Sequence, residues 1–119
     1  MKFMMLVCDD TSRFEKYAAE ESPAPEDADA GAGSFPWLDE MIARGIRLDG
    51  DRLRPPSEAT TVRVRDGEVL LADGPFAETK EAIAGFDIIE CANLDEAIEV
   101  ASKHPVAAFG SIEVRPFWP

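Results

Sequence analysis

Phe3-Met4-Met5-Leu6-Val7-Cys8 places six apolar side chains in succession, and Phe86 to Cys91 again carries apolar residues at both odd and even positions. A strand sends successive side chains to opposite faces, so both runs predict strands covered on two sides. One layer of helices covers only one face of a sheet. The other face needs a second cover, and a second copy of the sheet across a two-fold axis supplies it most simply. Long loops laid over that face are the alternative.

The rest of the chain supplies the helices. Ser12-Arg13-Phe14-Glu15 has the spacing of a capping box, with Phe14, Tyr17 and Ala18 as an apolar stripe, and Ser22-Pro23-Ala24-Pro25 breaks it. An acidic, low-complexity loop follows at about 22–34. Ser34 can cap a second helix, with Pro36 in its first turn, Trp37, Leu38, Met41 and Ile42 to one side, and Gly45 at its end. Residues 46–54 are mixed, and Asp49-Gly50 reads as a turn. Thr60 to Arg65 and Glu68 to Ala72 flank Asp66-Gly67 as a hairpin. Asn93 and Glu96 open the clearest helix, with Leu94, Ala97, Ile98 and Ala101 on the expected docking face. Lys103 and His104 suit the negative end of its dipole. Ile112 to Arg115 alternates as a final strand. The order predicts one α+β domain over 1–119: a ferredoxin-like antiparallel sheet with helices on one face, an extra β-hairpin, and a homodimer.

Composition narrows the partners. With 12 Lys+Arg against 24 Asp+Glu in 119 residues, the net charge is −12, so no nucleic acid and no anionic membrane is expected as partner. The run at 3–8 falls short of the roughly 7–15-residue core of a secretory signal, and Asp9-Asp10 read as a strand passing into a turn. Cys8 and Cys91 have no motif spacing and read as buried thiols of a cytoplasmic protein. There is no CxxC, HExxH or phosphate-binding glycine loop, and no metal or cofactor is expected.

The densest unusual stretch is Asp73-Gly74-Pro75-Phe76-Ala77-Glu78-Thr79-Lys80-Glu81. Here the sequence resembles the YCII-related, DGPF-domain family, whose motif stands intact as DGPFAETKE. The likeness takes in Ala59 to Arg63 (ATTVR), Ala84-Gly85-Phe86, Leu94-Asp95-Glu96-Ala97 and Glu113-Val114-Arg115-Pro116, and covers most of residues 1–8 and 34–117. The resemblance implies a dimeric α+β barrel fold. It does not imply one reaction. Some relatives act on small, often aromatic, hydroxylated or chlorinated ring compounds, and genes of DGPF proteins often lie beside those of extracytoplasmic-function sigma factors.

Two readings of the motif stand side by side. In the structural one, Asp73 accepts backbone bonds in a turn, Gly74 supplies unusual dihedrals, Pro75 fixes the bend and Phe76 plugs the core. Glu78, Lys80 and Glu81 are then solvated charges. In the functional one, Asp73 is a carboxylate acid/base at a strand end, Lys80 holds an anionic group, and Glu78 orients Lys80 beside Gly74, Pro75 and Phe76. YCII-type relatives place a histidine in the region of the first helix, able to pair with a strand-end aspartate. Here Trp37, Leu38, Asp39 and Glu40 occupy the helix, so that dyad does not carry over, and Asp73 would work alone or with another carboxylate. Trp37, Phe117 and Trp118 read as core or dimer-interface residues. The favoured function is binding or transforming a small molecule near the motif, by lyase- or isomerase-like chemistry if it is an enzyme. The alternative is a non-catalytic regulatory partner in a sigma-factor system.

Overall fold

A computed structural model gives the fold and describes residues 1–12, 34–75 and 80–119. The strands are β1 (Lys2–Asp10), β2 (Arg47–Arg52), β3 (Thr60–Arg65), β4 (Glu68–Asp73), β5 (Glu81–Glu90) and β6 (Ser111–Pro116), and the helices are α1 (Ser34–Ala43) and α2 (Leu94–Ser102). Four strands make an antiparallel sheet in the order β2-β5-β1-β6, while β3 and β4 form a separate hairpin. With the hairpin set aside, strand–helix–strand–strand–helix–strand in this sheet order is the ferredoxin-like arrangement. The continuation of the first expected helix beyond Ser12, and the acidic loop up to residue 33, lie outside the described residues.

The two-faced pattern of β1 is realised as expected. Phe3, Met5 and Val7 are buried on the helix-facing side, and Met4, Leu6 and Cys8 are half-buried on the other. Beneath the helices Phe3, Met5 and Ile89 pack with Trp37, Met41, Ile46, Ala97, Val100 and Ala101. The Trp37 indole N–H donates to the Val100 carbonyl at 3.0 Å, so α1 satisfies a carbonyl in the last turn of α2 and ties the helices together. Where α1 ends, Gly45 N–H donates to Ile42 and Ile46 N–H to Met41, with Ile46 buried behind them. This is the paired-bond helix stop expected of a glycine there.

Several details differ from the sequence reading. Ala97, Val100 and Ala101 dock α2, while Leu94 and Ile98 are about half exposed, at 50% and 52%. Val100, between the two alanines, takes the buried place that the expected stripe gave to Leu94 and Ile98. Asn93 accepts from Glu96 N–H, but Glu96 reaches back to the Ala92 N–H. Asp10, two residues before Ser12, accepts from both the Ser12 N–H and hydroxyl. Asp49-Gly50 is no turn; both residues lie in β2, an edge strand whose register shifts between Arg47 and Asp49. The Asp66-Gly67 hairpin turn does form, with φ of 51° and 78°, the left-handed pair that a two-residue turn needs.

His104 departs furthest. It is 4% exposed, its ring lies edge-on to Trp37 at 4.8 Å, and Nδ1 accepts the Val106 N–H at 3.1 Å. It therefore caps the 3-10 turn Pro105–Ala108 as a neutral acceptor instead of answering the dipole of α2 as a cation. Burial lowers its pKa from 6.5 to about 4. Between those values the unfolded chain takes up a proton that the folded chain refuses. Stability should thus fall as pH drops through 6.5 toward 4 and gain no further loss from this group below that, amounting to about 3 kcal/mol at most. His104→Asn keeps the acceptor without the titration. Its stability in urea should decline less than the wild type's over the same pH interval, by about 1–3 kcal/mol.

Candidate functional site

The helix-facing side of β1 reads Phe3, Met5, Val7, Asp9, and the last of these is a carboxylate only 5% exposed. Its Oδ1 accepts the Asp10 N–H at 2.7 Å. What lies opposite is set by an irregularity. Val7 pairs with Gly85, but Cys8 pairs with Ile83, which leaves Ala84 as the extra residue of a bulge. An unbroken register would set Ile83 against Asp9. The bulge sets Ala82 there instead and turns Ile83 and Glu81 to the open face of the sheet. A small side chain thus lies next to the buried carboxylate.

The rim of this strand end is polar. Thr11 N–H donates to the Lys80 carbonyl at 3.2 Å, so the last residues of the DGPF stretch enter the sheet beside Asp10. The Ser12 N–H and hydroxyl, together with the Lys80 charge, hold the Asp10 carboxyl below its usual range. On the open face the Ser111 hydroxyl donates to Glu81 at 3.0 Å. Cys8 lies on that face too. Burial first, then the charges of Glu113 and Glu81, push its thiol up, so it is a poor nucleophile. Cys8 and Cys91 are free thiols, and Cys91 bonds to Met1 at the far end of β1, so the two are not neighbours.

The residues expected to carry chemistry are distributed unevenly. Asp73 ends β4 opposite Thr60 and is exposed. The described chain therefore does not provide the burial on which its acid/base reading rests. Gly74 has φ of +94°, a conformation that favours glycine; its N–H donates to Ala59 at 2.7 Å and its carbonyl accepts the Thr61 hydroxyl at 2.8 Å. Gly74 and Pro75 are half-buried, and Lys80 is exposed at the Asp9 end of the sheet. Phe76 and Glu78 lie outside the described residues. Asp9 was missed because adjacent acids after an apolar run look like a turn. The signal that would have found it is the alternation itself, which carries the Phe3-Met5-Val7 face one step further.

A second buried carboxylate, Asp87, opposes Met5 on the same face and pairs with Arg47 at 3.1 Å. It lies four residues up β1 from Asp9, about 13 Å along the strands, which is too far for the two to work as a pair. A side chain at Gly50 would run into Asp87 and the Phe86 carbonyl. The absence of one there lets β2 pack under this ion pair. Among the described residues no group of three or more His, Cys, Asp or Glu is placed to hold a metal ion. Nor is any helix long and apolar enough to cross a membrane.

The profile of the YCII-related domain matches residues 1–119. The chain belongs to the YCII-related family. It is 51% identical over 67 residues to an uncharacterised protein of Rhizobium meliloti (strain 1021), a match spanning 55% of this chain and 54%, about half, of that relative. Its fold is similar to that of the 5-chloro-2-hydroxyhydroquinone dehydrochlorinase from Burkholderia phenoliruptrix AC1100, solved in complex with 2,5-dihydroxybenzoquinone. The TM-score is 0.51 at 15% identity, covering 99% of this chain and 94% of that one. At that identity the likeness speaks for the ferredoxin-like α+β barrel fold. Within this family member, Gly50→Ala should cost about 1–3 kcal/mol by forcing Asp87 away from Arg47. Urea denaturation monitored at Trp37 would measure it, and an unchanged midpoint would mean that β2 shifts without strain.

Proposed function

We propose that this YCII-related protein binds and transforms a small molecule at the helix-facing end of β1, with Asp9 as the carboxylate acid/base. Lys80 is its anchor for an anionic group, and Asp73-Gly74-Pro75-Phe76 with Glu78 shape the approach. The observation that carries this reading is the buried Asp9 carboxylate, set opposite Ala82 by a bulge at the rung where the motif re-enters the sheet. A buried carboxylate at a strand end is a candidate acid/base, and the nearby Lys80 cation favours a phenolate or other anion. The fold shared with a dehydrochlorinase of a hydroxylated, chlorinated ring supports small, oxygenated aromatic compounds as the first class to try. The regulatory alternative rests on the gene association that the family resemblance implies, and no feature of the described fold supports it.

The protein works, on this reading, as a homodimer. Met4, Leu6, Phe86 and Ile88 share the open face of the sheet, and Ile83 on that face is 44% exposed. No helix of the described chain covers it. Two free thiols support a cytoplasmic setting.

Calorimetric titration with 2,5-dihydroxybenzoquinone and a panel of chlorinated hydroquinones tests the site. Wild-type protein should bind at least one member. Lys80→Ala should weaken that binding about tenfold or more, and Asp9→Asn should retain binding but lose turnover by about a hundredfold or more. Circular dichroism checks that Asp9→Asn is folded. Binding unaffected by Lys80→Ala together with turnover unaffected by Asp9→Asn would remove the site from this end of β1.

A further inference from the structure

The β3–β4 hairpin presents a row of exposed apolar side chains. Register pairs Val62 with Leu71 and Val64 with Val69 on one face, and these side chains are 59%, 68%, 56% and 65% exposed. The opposite face carries Arg63, Arg65 and Glu68 beside Leu70, which is 44% exposed. Two strands alone are marginal in water, and an apolar face on them is a liability unless something covers it. Among the described residues, neither β3 nor β4 pairs with any other strand.

We propose that this hairpin is a docking arm, whose Val62-Val64-Val69-Leu71 face packs on a second copy of the chain beside the open sheet face. The proposal rests on the homodimer reading above and names the element that clasps it. Charge favours a copy of this chain at this surface. The whole chain carries −12, yet over Thr60–Asp73 Arg63 and Arg65 offset two of the three acids Asp66, Glu68 and Asp73, so the arm carries only −1. Its four aliphatic positions hold no charge, and two acidic protomers meeting there bring together only Asp73, at the root of that face. Area agrees. Four aliphatic side chains at this exposure leave on the order of 400 Å² per arm, and reciprocal docking of two arms on equal areas reaches about 1,600 Å², the size of a standard stable interface. The arm is also rigidly based. Gly74 N–H to Ala59 and the Thr61 hydroxyl to Gly74 close its root, so docking of the arm fixes the residues that lead into the DGPF stretch.

The test is sedimentation equilibrium on the full chain, on Val64→Lys/Leu71→Lys, and on Ile88→Lys in the open sheet face. Both arm positions are exposed, so the double variant should melt like an isolated wild-type protomer. Its added lysines lower the net negative charge, so weaker association would report lost apolar contact and not repulsion. The wild type should be a dimer, and the arm variant should associate about a hundredfold or more weaker. Hydrogen exchange gives an independent readout. Amides of β3 and β4 should be protected in the wild type at dimer-forming concentrations and lose that protection in the arm variant. An arm variant that dimerises as well as wild type while Ile88→Lys is monomeric would overturn the arm and leave the dimer standing. A wild type that stays monomeric would overturn both.

Discussion

The antiparallel pairing of β1 with β5 decides where everything else in this protein can be. Its upper rungs, Phe3 with Ile89 and Met5 with Asp87, set one face under α1 and α2. The same rungs put Met4, Leu6, Phe86 and Ile88 on the other face. A slip of one residue would exchange those faces along the strand. The bulge between Val7 and Cys8 makes such an exchange on β5 only, and only below Gly85. Above it the pair builds a core. Below it the same pair places an alanine against a buried carboxylate.

Much of this was legible in the residues, because the fold follows patterns that are local. The strand–helix order, the Asp66-Gly67 turn, the Asn93 cap and the Gly45 stop each follow from side chains a few positions apart. What escaped depends on distant partners. Asp49-Gly50 has the composition of a turn, yet it forms part of β2, where Gly50 leaves room for Asp87, forty residues on from Arg47, to meet that arginine. His104 looked like a cation at a helix end; Trp37, from the other helix, packs against it and burial keeps it neutral. Leu94 and Ile98 fit a helical stripe, but the core takes Ala97, Val100 and Ala101 and leaves those two half exposed.

The candidate site shows the same division. The DGPF stretch was conspicuous because its residues are unusual in sequence, whereas Asp9 was inconspicuous because its importance lies in burial. Asp73 and Lys80 are close in the chain but belong to different elements. Asp73 is fixed to the arm through Thr60, and Lys80 to the sheet through Thr11. Sequence proximity therefore overstates how far the motif acts as one catalytic unit.

That separation gives the motif a mechanical meaning. One end is held by the bonds of Gly74 at the root of the arm, and the other by the first rungs of β5 beside Asp9 and Asp10. Gly74 is thus set by the arm and Lys80, six positions later, by the sheet, so the position of one relative to the other depends on where the arm packs, and a second copy holding the arm, as proposed above, would fix it.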